Sequence, residues 1–190
     1  IFMNEMVEEI MLSCQEEIDK AVKHQLSEYL VIRAGRANPH ILDKVFIDYY
    51  GVPTPIKNMA SITVPEARIL AISVWDQSQV KNVVKAISAA DLGVNPNEDG
   101  KTIRLIFPAL TEERRKEIVK SVKKIAEETK VAVRGARRDA MDMIKDLEKN
   151  SEISEDERNT YEEQIQKLVD KACDQIDENC KVKEKEIMEV

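Results

Sequence analysis

The sequence predicts an α+β protein of two domains: an elongated three-helix bundle formed by residues 1–33 and 109–190, with a small β/α/β domain, 34–108, inserted between its first and second helices. Three observations point to it. Apolar side chains recur at helical spacing up to residue 33 and again from residue 111 onward. The middle has another texture: it holds five of the six prolines among β-branched and aromatic runs, and the sixth, Pro108, closes it. No proline interrupts either helical region, where one would break the backbone ladder.

The first helix is expected over 4–33, with Val7, Ile10, Met11, Cys14, Ile18, Ala21, Val22, Tyr29 and Ile32 as its stripe. Asn4 suits its N-cap, and Gly35 lies just past its end. In the middle, "KVFIDYY", "ASITV", "RILAISVWD" and "TIRLIFP" read as strands, and "SQVKNVVKAISAAD" reads as a helix that turns Val80, Val83, Val84 and Ile87 inward. Thr111 opens the second bundle helix, with Glu112 and Glu113 at the positive end of its dipole. It runs to about Asn150, roughly 60 Å at 1.5 Å per residue. Ser154 with Glu157 makes a capping box for the third, which carries Ile165, Leu168, Val169, Ala172, Ile176 and Cys180 on one side. Such helices are not stable alone and hide their stripes against one another. The chain crosses between domains at 33–38 and 107–109. Gly35 allows unusual backbone angles there, while Pro39 and Pro108 stiffen either side, so Arg33, Gly35 and Pro108 mark an expected hinge.

Wound at about 100° per residue, the second bundle helix sorts into three sectors. Ile118, Val122, Ile125, Val133, Ala136, Ala140, Met143, Ile144 and Leu147 form the expected buried face. Lys116, Lys120, Lys123, Lys130, Arg134, Arg137, Arg138 and Lys145 form a basic arc expected to point away from that face, while Glu117, Glu128, Asp139, Asp142 and Asp146 take the remaining sector. The formal charge of the whole chain, −7, hides this polarity. Residues 114–145 hold eleven Lys/Arg against five Asp/Glu, whereas 146–190 hold seven against fifteen. A cationic ribbon matches a polyphosphate backbone, and guanidinium forks grip phosphates in pairs of hydrogen bonds where lysines act as point charges. Acidic surface elsewhere repels nucleic acid, so only one face docks. Two readings stay open on the residues alone: a solvated bundle face, and an oriented interface for structured RNA. Gly135 is odd amid the arginines, since glycine inside a helix costs about 1 kcal/mol relative to alanine. It either admits a partner backbone or is simply tolerated.

Other chemistry is hard to find. His24 and His40 have no cysteine or second histidine at metal-ligand spacing, and the five glycines are too scattered for a phosphate-cradling loop. No nucleophile stands with a base and an orienting group, so the chain is expected not to be an enzyme and to need no cofactor and no metal. Cys14, Cys173 and Cys180 read as reduced core or near-core thiols, the latter two being about 10 Å apart along one helix. Tyr49, Tyr50 and Gly51 read as core and turn rather than a base-stacking platform. No apolar run approaches the roughly 18 residues that span a bilayer, and "IFMNEMVEEIM" is acidic where a secretory signal is basic. A cytoplasmic monomer without membrane contact is expected.

"RAGRANP" (33–39), "DYYGVPTPI" (48–56), "DLGVNPN" (91–97), "LTEERRKE" (110–117), "VAVRGARRDA" (131–140) and "SEISEDE" (151–157) follow one another in the order and spacing of the bacterial ribosome recycling factor family, which the chain resembles over nearly its whole length. The resemblance implies an L-shaped molecule with a transfer-RNA-like outline. It further implies that the chain enters the post-termination ribosome and lies along large-subunit ribosomal RNA. Elongation factor G, which itself binds the GTP, then acts with it to split the subunits and release mRNA and tRNA. Carried onto this chain, the RNA contacts fall on Arg134, Arg137 and Arg138, with Lys130 and Arg114 beside them, and the flexible joint falls on Gly35 and Pro108. Ala34, Asn38 and Gly135 depart from the residues more frequent in the family. Against this stand two other classes, a stand-alone binder of structured RNA and a coiled-coil scaffold.

Overall fold

The computed structural model describes residues 4–32 and 35–189. It is an α+β protein with two compact units, Ile1–Tyr29 with Lys120–Lys185, and Leu30–Val119 with Glu186–Val190. Long helices build the first and a small antiparallel sheet with one helix builds most of the second.

In the helical unit, α1 (Glu5–Leu30), α3 (Glu112–Lys149) and α4 (Glu155–Met188) bury one stripe each. Val7, Cys14, Ile18, Val133, Ala140, Ile144, Ile165, Val169 and Ile176 share one core. The caps follow the side chains present. Asn4 Oδ1 accepts from the amide of Met6, and Thr111 Oγ1 from that of Arg114. At the start of α4 the capping box is reciprocal: Glu157 N donates to Ser154 Oγ at 3.2 Å and Ser154 N to Glu157 Oε2 at 2.8 Å. Between α3 and α4 the amide of Glu152 reaches Leu147 O and that of Ser151 reaches Glu148 O, a Schellman ending with Ser151 at φ 59°.

The expected helices differ from these in detail. The first ends at Leu30 rather than 33, so Ile32 lies in the following bend. Met143, expected on the buried face of α3, is 49% exposed. It sits at the margin of the apolar arc, beyond the line through Val122, Ala126, Thr129, Val133, Ala140, Ile144 and Leu147 that packs inward.

The second unit holds two sheets. Strands β1 (Phe46–Tyr49) and β2 (Val52–Pro55) form a hairpin closed by Tyr50 and Gly51, both at positive φ. Asp48 Oδ1 accepts from the amide of Gly51 at 2.7 Å. The second sheet is antiparallel, in the order β3 (Ala60–Glu66), β4 (Ile69–Val74), β6 (Thr102–Ile106), β5 (Pro96–Asp99). One of its faces carries Leu70, Ile72, Val74, Ile103 and Leu105 in alternation, and these share a core with Val80, Val83 and Ile87 of α2 (Val80–Ala89).

Two strands went unforeseen in the sequence. Val52–Pro55 has two prolines and Pro96–Asp99 has no β-branched residue, which argues against a strand interior. Both pair on one side only, where a missing backbone donor or a weak strand former is tolerated. Pro65 follows the same logic, falling at the register shift between Thr63 and Glu66.

Candidate nucleic-acid interface

The basic arc of α3 is a flank, not an outer face. The heptad spacing of Lys123, Lys130 and Arg137 places all three at the seam with α4, and each reaches a side chain across it. Lys123 Nζ lies 3.7 Å from Glu184 Oε1. Lys130 Nζ lies 2.6 Å from Asp177 Oδ1 and 3.5 Å from Glu127 Oε1, with only 17% of its side chain exposed. The hydrogen bond to Asp177 raises its ammonium above the ordinary lysine range, against the opposing effect of burial. Arg137, half-buried, donates through Nη1 to Gln166 Oε1 at 3.0 Å, and Gln166 Nε2 donates to Asp170 Oδ1 at 2.8 Å.

Outside this seam the charges are open. Arg134 and Arg138, one helical turn apart, are exposed and form no ion pair among the described residues, and the same is true of Lys120 and Lys145. Burial raises the pKa of the Cys173 thiol in α4, and the positive charges of Lys130 and Arg134 act against that rise. Arg114, about five and a half turns nearer the start of α3 than Arg134, is held at 2.7 Å by Glu117 in a surface pair with both side chains more than half exposed. Such pairs contribute about 1 kcal/mol at most and open readily to a phosphate.

The five residues expected to meet RNA thus occupy three states. Arg134 and Arg138 present unopposed guanidinium groups. Arg137 is oriented by an uncharged partner. Lys130 and Arg114 are bound to carboxylates of the same molecule. Gly135 lies among them with nothing among the described residues, outside its own helical turn, within 4 Å of the place a Cβ would take, so none of these neighbours requires a glycine there.

Of the expected hinge residues, Arg33 lies outside the described residues. Gly35 has φ +81°, a backbone conformation that favours glycine, and its missing Cβ would meet Leu110 at an ordinary 3.7 Å. Pro108 is exposed in a stretch, 107–111, that is neither helix nor strand. Both crossings bond to one turn of the sheet: Ala37 N donates to Ala67 O and Phe107 N to Arg68 O.

The sequence reading missed a buried polar cluster that fixes the bundle carrying these groups. Gln25, wholly buried in α1, donates through Nε2 to Tyr29 Oη and Ile176 O and accepts from Asn179 Nδ2. Its signal was a glutamine continuing the stripe Ile18, Val22. The thiols are free, with Cys14 buried and Cys173 and Cys180 partly so, as expected. His40 Nδ1 lies 3.0 Å from Asp43 Oδ2, and among the described residues no group of acidic, histidine and cysteine side chains is arranged to hold a metal ion. No helix among them is long and apolar enough to cross a membrane.

The model of the ribosome recycling factor family matches residues 22–188 of this chain. The ribosome-recycling factor of Caldicellulosiruptor bescii is 58% identical over 97% of this chain and 100% of its own length. That of a Geobacillus species is 55% identical over the same shares. A solution structure of a ribosome recycling factor superposes with a TM-score of 0.83 at 41% identity, covering 99% of this chain and 100% of the other. A second, with a TM-score of 0.66 and 38% identity over 96% and 99%, is described as Thermus thermophilus (T. thermophilus) ribosome recycling factor placed with E. coli elongation factor G on the E. coli post-termination complex.

Proposed function

This chain belongs to the ribosome recycling factor family, and from that premise we propose that it acts on the post-termination ribosome by laying the basic flank of α3 on large-subunit ribosomal RNA. The observation that carries the reading is the pair Arg134 and Arg138: exposed, without an ion pair among the described residues, one turn apart and beside an Arg137 whose charge is not cancelled. Arginines so placed form charge-assisted, two-pronged bonds to phosphate oxygens, and the acidic α4 region keeps the rest of the bundle off the polyanion.

The chain catalyses no reaction of its own in this proposal and works in the cytoplasm as a monomer. Elongation factor G, which accompanies the recycling factor in the placed complex, supplies the GTP hydrolysis. The arginines anchor the helical domain, the sheet domain swings about Gly35 and Pro108 under the translocase, and contacts bridging the subunits give way, freeing mRNA and tRNA. Arg114 and Lys130 join the interface by exchanging Glu117 and Asp177 for phosphate. Residues 1–33 with 109–190 form the anchoring domain and 34–108 the moving one.

Sedimentation with purified ribosomes, with and without elongation factor G and GTP, tests this. Binding that falls steeply with salt, and subunit splitting only when factor, translocase and GTP are all present, is the expected result. Equal affinity for free RNA duplexes makes the chain a general duplex binder instead. Salt-independent self-association makes it a scaffold.

A further inference from the structure

The seam between α3 and α4 follows a ladder that one rung breaks. Lys123 meets Glu184, and seven residues on, Lys130 meets Asp177. The next rung of the same register sets Arg137 opposite Asp170. It does not form. Arg137 reaches one turn further to the amide oxygen of Gln166, and Asp170 is taken by the amide nitrogen of that same glutamine. Both ends of the amide are fixed by chemistry: a guanidinium only donates and a carboxylate only accepts, so oxygen faces Arg137 and nitrogen faces Asp170.

We propose that Gln166 is a positioning residue for the ribosomal RNA contact, holding the Arg137 guanidinium at the seam while keeping Asp170 from cancelling its charge. Gln166 offers Arg137 one neutral acceptor, which restricts the side chain and leaves four of its five N–H donors and its full charge for a phosphate. A carboxylate in the same place would hold the arginine as firmly and offset its charge, as Asp177 does for Lys130. The inference rests on the proposal that the arginine cluster engages ribosomal RNA.

The test measures binding of the full chain to purified large ribosomal subunits over a range of salt, for the unaltered protein, Arg137→Ala, Gln166→Ala, Gln166→Met, Asp170→Asn and the Gln166→Ala/Asp170→Asn pair, with a thermal melt of each. Gln166→Ala frees Asp170 to complete the ladder, so affinity falls roughly three- to tenfold and the slope of log K against log salt becomes shallower by up to about one. Asp170→Asn restores most of that loss in the Gln166→Ala background, and changes affinity by less than about twofold alone. Gln166→Met, of matched length without the amide, behaves as Gln166→Ala does, which covers a melt disturbed by the smaller residue. Two results overturn the proposal: Gln166→Ala and Gln166→Met binding like the unaltered chain, or Asp170→Asn giving the same gain in both backgrounds, as a merely structural glutamine predicts. If Arg137→Ala loses affinity while the Gln166 variants do not, the RNA reading stands and the role of Gln166 falls. If Arg137→Ala itself binds normally, Arg137 is no part of the contact and the role of Gln166 falls with it, while the RNA reading is then decided by Arg134→Ala and Arg138→Ala.

Discussion

The hydroxyl of Tyr29 in α1 donates to the backbone carbonyl of Val122 in α3 at 2.9 Å, inside the helical core and with 4% of the tyrosine exposed. That carbonyl already serves the helix, so the bond ties two helices at a fixed height. Tyr29→Phe keeps the ring and removes the tie, with an expected cost of about 1 kcal/mol at neutral pH. Burial pushes the phenol up to about 12. An unfolded tyrosine ionises near 10, so the unfolded state loses its proton first as pH rises. Stability contributed by the neutral phenol is therefore whole below about pH 10 and is lost as pH rises toward 12. Denaturant melts of both proteins from pH 8 to 12 check this. The gap between them should narrow in that window, and a gap independent of pH contradicts it.

Gln25 completes the cluster, and its removal is expected to cost more. Gln25→Leu fits the apolar surroundings, yet it leaves Asn179 Nδ2 without its acceptor and Ile176 O and Tyr29 Oη without a donor. Stranded buried polar groups cost roughly 1 to 3 kcal/mol, which hydrophobic gain offsets only in part. Urea unfolding of Gln25→Leu should show a lower midpoint with an unchanged slope, and a stabilised variant would show that the cluster is dispensable.

How far these features were legible in the sequence depended on whether a residue carries its own sign. The helices did, through stripes such as Ile165, Val169, Ala172 and Ile176 and through the Ser154–Glu157 box, because spacing and capping are local physics. The strands Val52–Pro55 and Pro96–Asp99 did not, because their pairing on one side only follows from sheet order. Met143 was placed inward by an arc drawn too wide, which one turn of helix cannot correct. On the basic flank of α3, Arg134 and Arg138 announced themselves as charge. Which cations stay open was not readable: Lys130 and Arg137 look alike in sequence, and only the identity of the residue across the seam, Asp177 in one case and Gln166 in the other, separates them.

Arg134 and Arg138 should act on binding and not on folding. Among the described residues neither forms a hydrogen bond or ion pair, so Arg134→Ala and Arg138→Ala should leave the melting temperature within about two degrees, consistent with a surface substitution of about 0.5 kcal/mol or less. Each should weaken large-subunit binding by about 1 to 3 kcal/mol and make its salt dependence shallower by about one contact. Pelleting at several salt concentrations gives both numbers. Loss of affinity without a change in slope would point to something other than phosphate.

Asp177 holds back a charge, and releasing it should have opposite effects on stability and on binding. In Asp177→Asn the 2.6 Å pair with Lys130 becomes a neutral hydrogen bond at best, so the protein should lose about 1 kcal/mol or less. Lys130 is then free to meet a phosphate, and affinity at low salt should rise with a slope steeper by up to about one. Melting and pelleting of the same sample decide it; a variant that is both less stable and a weaker binder would show that the ion pair itself shapes the interface.

Gly135 separates the two uses a helical glycine has. Outside its own helical turn, nothing among the described residues lies within 4 Å of the site a Cβ would occupy, and its backbone is helical, so Gly135→Ala should stabilise the protein by about 1 kcal/mol through propensity and a less free unfolded chain. If the glycine is simply tolerated, binding to large subunits stays as it was. If it admits a nucleic-acid backbone against α3, the added methyl collides with that backbone and affinity drops although the free protein has become more stable. The melt and the binding curve of this one variant therefore divide the alternatives, and flanking Arg134 and Arg138 make the second outcome the expected one should the RNA strand run between them across the helix.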